Sequence, residues 1–594
     1  MISKLLIANR GEIAVRVARA CRELGIEVVA VYSTSDRDSA VVAMADEAVH
    51  IGSSAPRCSY LHVPNIVEAA LRTGADAVHP GYGFLSEDPD FAEICEAEGL
   101  TFVGPPPAVM QQMGNKATAR RLMADAGLPL LPGVVEPVRT VEEGRLIADG
   151  IGYPVIIKAA AGGGGRGMTV VHTAEDFAEA FTGTRAVARA VFRDPTVYIE
   201  RYLPRARHVE VQILCDAHGN GVHLGQRDCS LQRRHQKLLE EGPPAHLSPE
   251  QQAALGAVAV QGALSVGYVG AGTMEFLVDG AGSAYFMEVN ARIQVEHPVT
   301  ELLTGVDLVR EQLLVAGGRP LRLRQEDVVL RGAAIECRIN AEDPVRGFAP
   351  APGRLDVLRV PDGPWTRFDS GYRQGDEVSP HYDSLLGKLV VWAPDRAQAI
   401  RRMDRALAET RVDGPGVHTT IALHRALLRD PDVRADRHDV QFLDRHLPEL
   451  LDRAAALAAD PSAVLPPDDP DPLDVPAGPE QTASLHLHTV TDATDATDGR
   501  KPPVPATTFT LDDLMGLLTE KAGLPATSHT SDPDAKFEDV GLDSLAFLSM
   551  QTELQERYGV EMPDDKPDHY TFGEIVEVVS SQLNQAEPAP AEAS

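Results

Sequence analysis

The chain opens on a short apolar run, residues 4–8 (KLLIA), which is typical of a buried β-strand. The turn NRGE follows, then helical periodicity from Ile13 to Leu24, then Gly25, which favours a helix end, and a second strand-like run, EVVAVYS. Alternating strand and helix patterns continue to about Gly104 and predict one α/β unit. This βαβ opening lacks the GxGxxG signature, so the pattern alone does not indicate a dinucleotide site.

The hydrophobic pattern changes three times after this first unit. From about residue 112 to 325 it consists of longer strands and a glycine-rich segment, and from 331 to about 446 it returns to a mixture of strands and helices. Beyond Leu451 the chain turns to Ala, Pro and Asp, which predicts an unfolded linker spanning roughly 40 Å as a flexible coil. Residues 509–586 regain helical periodicity in three amphipathic stretches, which predicts a small helical bundle.

Length and charge narrow the functional classes. A chain of 594 residues exceeds what one hydrophobic core supports, so several domains are expected. The formal net charge of -32 argues against nucleic acid or an anionic membrane as a partner, because both require clustered Lys and Arg. The six cysteines form no CxxC pair, which disfavours a zinc cluster or a disulfide framework and predicts a reducing cytoplasm. The N-terminal apolar run is too short for a signal peptide or a membrane span.

The first segment with chemical character is YPVIIKAAAGGGGRGMTVV, whose pattern predicts strand, glycine loop and strand. Lys158 ends the first strand, and the loop contains Gly163, Gly164 and Gly165. Glycine lets backbone N–H groups approach a phosphate closely, and lysine supplies a compensating charge. A mobile hairpin turn has the same composition, so the glycine run alone does not establish phosphate binding.

The second segment is EVNARIQVE, residues 288–296, in which polar and apolar residues alternate strictly. The polar positions are Glu288, Asn290, Arg292, Gln294 and Glu296. An extended chain would place all five on one side, and Glu275 in the upstream strand GTMEFLV would reach the same face. Two carboxylates and an amide oxygen suit Mg²⁺, while Arg292 and Gln294 offer donors for a planar oxyanion such as bicarbonate. A solvated strand face would show the same alternation.

The third segment, QRDCSLQRRHQKLLEE at residues 226–241, concentrates basic residues in an otherwise acidic protein. The basic positions are Arg227, Arg233, Arg234, His235 and Lys237. A basic surface patch is the simpler interpretation of such a run, and the alternation of His208, Glu210 and Gln212 upstream is equally typical of a polar strand face. For Cys229, inside the segment, neutral packing is favoured over nucleophilic catalysis.

Taken together, these segments closely resemble biotin carboxylase, the ATP-grasp subunit of biotin-dependent acyl-CoA carboxylases. The resemblance runs from Met1 to about His446, with the segments in the family's order. They are IANRGEIA, HPGYGFLSE, IIKAAAGGGGRGM, RHVEVQIL, RDCSLQRRHQK, EVNARIQVEHPVTE, ECRINAEDP and HYDSLLGKL. So many long segments in one order make the resemblance very specific.

The resemblance implies an α/β multidomain fold and a homodimer formed through the ligase part. The predicted division is a Rossmann-like N-terminal domain at 1–111, an ATP-grasp domain at 112–325, a mixed α/β C-terminal domain at 326–446, a flexible Pro/Ala/Asp-rich linker at 447–508, a small all-α carrier domain at 509–586 and a disordered tail at 587–594. The active site is expected to be intact, because no site position departs from the family's pattern.

The resemblance also implies a role for each site residue. The ATP-binding set would be Lys116, Lys158, Gly163, Gly164, Gly165, His208 and Glu275, with Glu200, Tyr202 and Leu203 at the adenine hinge and Gln232 and His235 near the ribose. The ligands of Mg²⁺ or Mn²⁺ would be Glu275, Glu288 and Asn290. Arg292, Gln294 and the Val295 backbone resemble a bicarbonate cradle. Glu296 resembles the base that deprotonates bicarbonate, Lys237 would neutralise the transferring phosphoryl group, and Arg338 would stabilise the biotin enolate.

The C-terminal residues carry a second resemblance. DVGLDSLAFLSMQTELQERYGVEMPDD is similar to acyl carrier proteins, particularly those of aromatic polyketide synthases. Ser544, in GLDSL, matches the serine that receives 4'-phosphopantetheine, although a serine that opens a helix is also a common N-cap. Residues 509–585 contain 16 acidic and 4 basic residues, a formal charge of -12.

Three functional hypotheses follow. In the first, the chain carboxylates biotin on a separate biotin carboxyl carrier protein, because the sequence has no Met-Lys-Met. A separate carboxyltransferase then makes malonyl units for a polyketide or fatty-acid synthase, and a phosphopantetheinyl transferase modifies Ser544. In the second, a substrate tethered to Ser544 is carboxylated directly, although the context of Arg338 favours biotin. The third, a carrier scaffold with a vestigial ligase, is disfavoured by the complete set of Glu275, Glu288, Glu296 and Arg338.

Overall fold

The computed structural model describes most of the chain up to residue 460 and parts of the C-terminal region. The described residues are 2–134, 137–160, 167–460, 463, 465, 509–522, 524, 529–533, 535–536, 550–551, 554 and 570–585. The chain divides into two compact units, Met1–Val475 and Pro476–Ser594. Among the helices of these described residues, none combines the length and the apolar character that crossing a bilayer requires.

The first unit begins with a five-stranded parallel sheet covered by helices. Its elements are β1 (Lys4–Ile7), α1 (Gly11–Leu24), β2 (Glu27–Ser33), α2 (Ala40–Met44), β3 (Glu47–Gly52), α3 (Val63–Thr73), β4 (Ala77–His79), α4 (Pro89–Ala97), β5 (Thr101–Phe102) and α5 (Pro107–Gly114). The strand order is β3-β2-β1-β4-β5. Both faces are buried, since Leu6 of β1 packs in one core and Leu5 and Ile7 pack in another. The predicted βαβ opening is confirmed.

A small antiparallel sheet with its own core follows. After α6 (Lys116–Asp125), which packs on the preceding core, its elements are α7 (Val141–Ile151), β6 (Val155–Ala159), β7 (Met168–Val171), α8 (Phe177–Phe192) and β8 (Val197–Arg201). The strand order is β7-β6-β8. Phe177 and Phe181 of α8 stack in this core against Ile157 of β6 and Ile199 of β8. The small sheet therefore packs on a core of its own, and Lys158 lies in its strand β6.

The remaining elements of the first unit build a large antiparallel sheet and its cover. They are β9 (Arg207–Cys215), β10 (Gly221–Arg233), β11 (Gln236–Gly242), α9 (Pro249–Ser265), β12 (Gly270–Val278), β13 (Ala284–Asn290), α10 (His297–Thr304), α11 (Leu308–Ala316), β14 (Ala333–Asn340), β15 (Glu342–Asp343), β16 (Ala349–Pro350), β17 (Gly353–Arg354), β18 (Val357–Arg359), β19 (Thr366–Ser370), β20 (Glu377–Val378), β21 (Leu385–Ala393), α12 (Arg396–Glu409), β22 (Arg411–Asp413), α13 (Ile421–Leu428), α14 (Pro431–Arg434) and α15 (Phe442–Ala459). Short 3₁₀ helices lie at Thr34–Asp36, Pro56–Cys58, Gln325–Asp327 and Pro344–Arg346.

The large sheet runs across the predicted domain boundary at residue 325. Its order is β13-β12-β9-β10-β11-β14-β21-β19, so β11 pairs directly with β14, where Glu240 lies opposite Glu336. One continuous sheet therefore joins the predicted ATP-grasp and C-terminal regions. This pairing brings Arg338 of β14 next to the polar strands β9 to β12.

Helix α15 extends into the segment that the sequence pattern assigned to the linker. The predicted linker begins at 447, but the helix continues to Ala459. Leu450, Ala454 and Leu457 recur at helical spacing and are buried in the core that β14 and β21 share with α12 and α13. The predicted start at 447 is wrong because Pro448 and the alanine-rich composition concealed this apolar stripe.

The second unit contains two long described helices, α16 (Leu511–Ala522) and α17 (Phe572–Gln585). They pack on a shared core that includes Leu514, Leu518, Phe572, Ile575 and Val579. Two of the three predicted amphipathic stretches thus form helices. Of the third, Met550 and Leu554 are buried in the same core, while Ser544 lies outside the described residues.

Candidate active site

Three neighbouring strands place a row of carboxylates on one face of the large sheet. Glu275 of β12 lies directly opposite Glu210 of β9 on one side and Glu288 of β13 on the other. Like charges directly opposite each other destabilise a sheet unless a cation compensates them. The Lys237 ammonium of β11 supplies that charge, because its Nζ lies 2.8 Å from Glu210 Oε2 and 3.1 Å from Glu275 Oε1.

Glu296 lies between two cations at the centre of the cluster. Its Oε1 accepts a hydrogen bond from Lys237 Nζ at 2.7 Å, and its Oε2 accepts one from Arg338 Nη2 at 2.9 Å. The carboxylate is fully buried, which by itself would raise its pKa. Lys237 and Arg338 outweigh burial and hold the pKa of Glu296 well below its usual range. Burial likewise acts to lower the pKa of Lys237, but the surrounding acidic groups raise it well above its ordinary value.

The segment that carries Glu296 is a loop. Strand β13 ends at Asn290, and Glu296 is the N-cap of α10, so the prediction of one extended strand over 288–296 is wrong beyond Asn290. The chain has to leave the sheet edge and turn into α10 within these residues. Strict alternation did not reveal that turn, because Pro298, the helix-start signal, lies two residues further on.

Asn290 and the side chains of the loop nevertheless form hydrogen bonds with residues of β12. Asn290 Nδ2 donates to Glu275 Oε1 at 2.7 Å. Arg292 Nη1 donates to Gln294 Oε1 at 2.9 Å, and Gln294 Nε2 donates to Thr273 Oγ1 at 2.8 Å. Five of the six polar residues expected at this site are thus linked to it by hydrogen bonds; the sixth, Glu288, faces Glu275 across the strands.

A residue that the sequence pattern did not single out anchors Arg292. Glu87 follows the GYGF turn of the first sheet region, and its Oε2 accepts from Arg292 Nε at 2.9 Å. Its Oε1 accepts from the backbone N–H of Ala291 at 3.0 Å. Two contacts from one carboxylate fix the start of the loop. The motif HPGYGFLSE contains Glu87, but nothing in its spacing indicates a partner about two hundred residues away.

The proposed nucleotide-binding side chains form a second cluster on the small sheet. Lys158 Nζ of β6 and Arg120 Nη1 of α6 each lie 2.8 Å from the Glu200 carboxylate of β8. Burial would raise the pKa of Glu200, but these two cations lower it. Tyr202 contacts Gln441, and Leu203 is half-buried beside it. The loop glycines Gly163, Gly164 and Gly165 lie outside the described residues.

His208 of β9 contacts the carboxylate row directly. Its Nε2 lies 3.0 Å from Glu275 Oε2, and its Nδ1 lies 3.3 Å from Gln232 Nε2. Burial acts to lower the pKa of His208, and Glu275 overcomes it and raises the pKa. His235 is exposed in the turn between β10 and β11, with a positive φ of 65°. His208 and Gln232 therefore lie within the cluster, and His235 lies at its edge.

The carboxylate row also fits a divalent cation. Glu275 in the middle of β12 pairs with Glu288 of β13, Asn290 ends β13, and all three offer hard oxygen ligands. The Glu288 side chain is 39% exposed and only 3.6 Å from Lys116 Nζ, so this end of the row is open to a ligand. Glu210, Cys229 and Glu296 also approach one another. There, however, the Lys237 ammonium already neutralises the carboxylates.

The architecture and the site define an ATP-grasp ligase. The chain matches the sequence models of the biotin carboxylase N-terminal domain at residues 1–110, the carbamoyl-phosphate synthase L chain ATP-binding domain at 115–324 and the biotin carboxylase C-terminal domain at 336–445. The chain belongs to the biotin carboxylase family. It also matches the phosphopantetheine attachment site model at 512–579, so a carrier domain is present, and Ser544 falls within that range.

Known relatives match about three quarters of this chain. The chain is 54% identical to the biotin carboxylase of Nostoc sp. over 428 residues, 72% of this chain and 95% of that protein. It is 51% identical to biotin carboxylase 1 of Bacillus subtilis over 447 residues, 75% of this chain and 99% of that protein. Both identities place this chain among ATP-dependent ligases.

Solved structures agree with the sequence relatives. One is the biotin carboxylase domain dimer of the Hydrogenobacter thermophilus 2-oxoglutarate carboxylase, in complex with MgADP, ADP and bicarbonate. It has a TM-score of 0.72 and 46% identity and covers 76% of this chain and 98% of that chain. Another is the Campylobacter jejuni biotin carboxylase in a β-γ-ATP complex, with a TM-score of 0.72 and 43% identity, covering 75% and 99%.

Proposed function

We propose that this protein carboxylates biotin carried by a separate protein, using ATP and bicarbonate, and that its own carrier domain serves the pathway that uses the product. The observation that carries the proposal is the buried Glu296 carboxylate held between Lys237 and Arg338. A base, a phosphate-neutralising cation and an enolate-stabilising cation meet there at one point.

Nucleotide binding is assigned to the second cluster and the glycine loop. We expect Lys116, Lys158, His208 and the loop glycines to hold the triphosphate, with 200–203 at the adenine. Glu275, Glu288 and Asn290 would hold Mg²⁺ or Mn²⁺, which would screen the charge of the phosphate oxygens. The ion pair with Glu200, 2.8 Å away, holds the Lys158 ammonium in place.

The first chemical step joins bicarbonate to phosphate. Glu296 takes the bicarbonate proton, and a bicarbonate oxygen attacks the γ-phosphorus while the bond to the β–γ bridging oxygen breaks. ADP leaves and carboxyphosphate forms, with Arg292, Gln294 and the Val295 backbone holding the carbonate. In the ligand-free protein Lys237 suppresses the basicity of Glu296. Because an incoming phosphoryl group competes for Lys237, its arrival raises the proton affinity of Glu296 when a base is required.

The second step transfers the carboxyl group to biotin. Carboxyphosphate breaks down to CO₂ and phosphate, the phosphate removes the ureido N–H proton, and the ureido nitrogen attacks CO₂. Arg338 stabilises the enolate oxygen that develops, and Glu240, bonded to its Nε at 2.6 Å, keeps the guanidinium in place. The fork geometry of arginine allows it to bind Glu240 on one edge and an oxyanion on the other.

The carrier domain suggests the setting of the reaction. We expect a separate biotin carboxyl carrier protein and carboxyltransferase to complete the carboxylation and to supply malonyl-type units to a polyketide or fatty-acid synthase. A phosphopantetheinyl transferase would modify Ser544, and the ligase part would form a homodimer like the Hydrogenobacter domain.

The test is bicarbonate-dependent ATP hydrolysis by the full chain, with and without free biotin. We expect biotin to stimulate the parent protein and Glu296→Gln to lose about a hundredfold or more of that rate, as removal of a general base does. Ser544→Ala is the matched control and should retain the stimulation. If hydrolysis appears only after an acyl group is loaded on Ser544, and disappears in Ser544→Ala, direct carboxylation of the tethered substrate replaces the proposal.

A further inference from the structure

Two neighbouring cations hold the loop that carries the proposed base. Arg338 of β14 and Lys388 of β21 lie directly opposite each other in the sheet. Arg338 Nη2 donates to Glu296 Oε2 at 2.9 Å, and Lys388 Nζ donates to the carbonyl oxygen of Val295 at 2.8 Å. Cations on adjacent strands therefore bind consecutive residues of the 291–296 loop, one by its side chain and the other by its backbone.

The burial of Lys388 requires an explanation. Its side chain is 0% exposed, and a buried ammonium persists only where it is paired and hydrogen-bonded. Its ionic partner is Glu12 of α1, at 3.0 Å, whose carboxylate also accepts a hydrogen bond from the Tyr82 phenol. Burial raises the pKa of Glu12, and Lys388 acts against that rise. The pair thus connects the first sheet region, strand β21 and the loop at one point.

We infer that Lys388 is a positioning residue for the proposed carboxylation. Its hydrogen bond to the Val295 carbonyl fixes the peptide that joins Val295 to Glu296, and with it the direction in which the loop presents its donors to bicarbonate. Glu12 neutralises the ammonium and keeps it aimed at the loop. The inference rests on the proposed function, and Lys388 acts through the loop without contacting substrate.

The test measures KM for bicarbonate and for ATP separately. Lys388→Met alone would leave the Glu12 carboxylate buried without its cation, so the informative variant is Lys388→Met with Glu12→Gln. We expect its KM for bicarbonate to rise about tenfold to a hundredfold, because the loop loses one hydrogen bond from a charged donor. Its KM for ATP should stay within about twofold of the parent value. Glu12→Gln alone keeps the bond to Val295 and should cause a smaller rise.

The matched control is another buried ion pair, Arg425 and Asp404, which joins helices α12 and α13. Arg425→Gln with Asp404→Asn should leave bicarbonate KM within about twofold, since this pair does not carry the loop. Thermal unfolding establishes that each variant is folded, and Lys388→Gln with Glu12→Gln repeats the test with a shorter, uncharged side chain.

The outcomes separate the inference from the proposed function. A parent protein without biotin-stimulated hydrolysis would overturn the proposed function. An active parent together with a parental bicarbonate KM in the double variant would overturn the positioning role of Lys388. Equal rises in the KM for bicarbonate and for ATP would also overturn it, because a specific effect on the loop should weaken bicarbonate binding and leave ATP binding unchanged.

Discussion

Replacing Lys237 by methionine tests whether one ammonium allows three buried carboxylates to share the site. Its Nζ lies 2.8, 3.1 and 2.7 Å from oxygens of Glu210, Glu275 and Glu296, and its side chain is 12% exposed. Removing one partner of a buried ion pair typically costs about 3 to 5 kcal/mol. We therefore expect Lys237→Met to lower the free energy of unfolding of the first unit by about that amount at pH 8.

The same substitution should change the pH dependence of stability. Lys237 and Arg338 outweigh burial and depress the pKa of Glu296, so their pairing stabilises the protein above the ordinary pKa of 4.5. This contribution is lost as the pH falls through the depressed pKa of the folded protein. In Lys237→Met the carboxylates gain protons more readily. The stability difference between parent and variant should therefore be largest near pH 8 and shrink as the pH falls toward 4.5.

Scanning calorimetry of the full chain at several pH values measures both effects, with Lys116→Met as the control. Lys116 is 47% exposed and 3.6 Å from Glu288, so solvent screens its pair and its removal should cost at most about 1 kcal/mol. Equal losses of stability in the two variants, or a deficit in Lys237→Met that does not vary with pH, would refute the reasoning.

Three further predictions concern other parts of the first unit. Burial raises the pKa of Glu240 to about 7, so its contribution to the free energy of unfolding should fall as the pH rises from about 4.5 to 7. Glu240→Gln should remove this contribution, about 3 kcal/mol, from the pH dependence of thermal unfolding. Glu87→Gln should raise KM for bicarbonate roughly two- to fivefold, because Arg292 loses a partly exposed ion pair; unchanged KM would contradict its anchoring role. Leu450→Ala should cost about 2 to 5 kcal/mol by calorimetry, whereas the less buried Leu451→Ala should cost less, and equal losses would count against the packing of α15.

The strands and most of the polar positions could be predicted from the sequence because their signals are local. Alternation placed Glu288 and Asn290 on one strand face, and a short turn predicted that Glu275 would reach that face, which the register of β12 and β13 confirms. The course of 291–296 could not be read in the same way. The hydrogen bonds of Arg292 and Glu296 to distant residues determine it, and alternation cannot report them.

Three residues that support the site were missed because their partners are far away in the chain. Glu240, Glu87 and Lys388 gain their roles from partners 98, 205 and 93 positions away in the chain. For Glu240 and Lys388 there is a further reason, because a charged residue within a predicted strand is typical of a solvated face and its burial becomes evident only after the sheet is assembled. The resemblance identified the residues proposed to contact ligands, and tertiary structure was needed to find those beneath them.

Continuity of the large sheet constrains how this protein can be rearranged by recombination or engineering. A cut at residue 325 would strip β14 from β11 and expose the backbone N–H and C=O groups of a long internal strand, which invites aggregation. It would also remove Arg338 from Glu296. Chimeras that exchange residues 204–460 as one block should remain soluble, whereas those that graft the segment before 325 alone should precipitate. The boundary between the two matched domain ranges, 115–324 and 336–445, is therefore not a usable junction, because β11 and β14 must stay together.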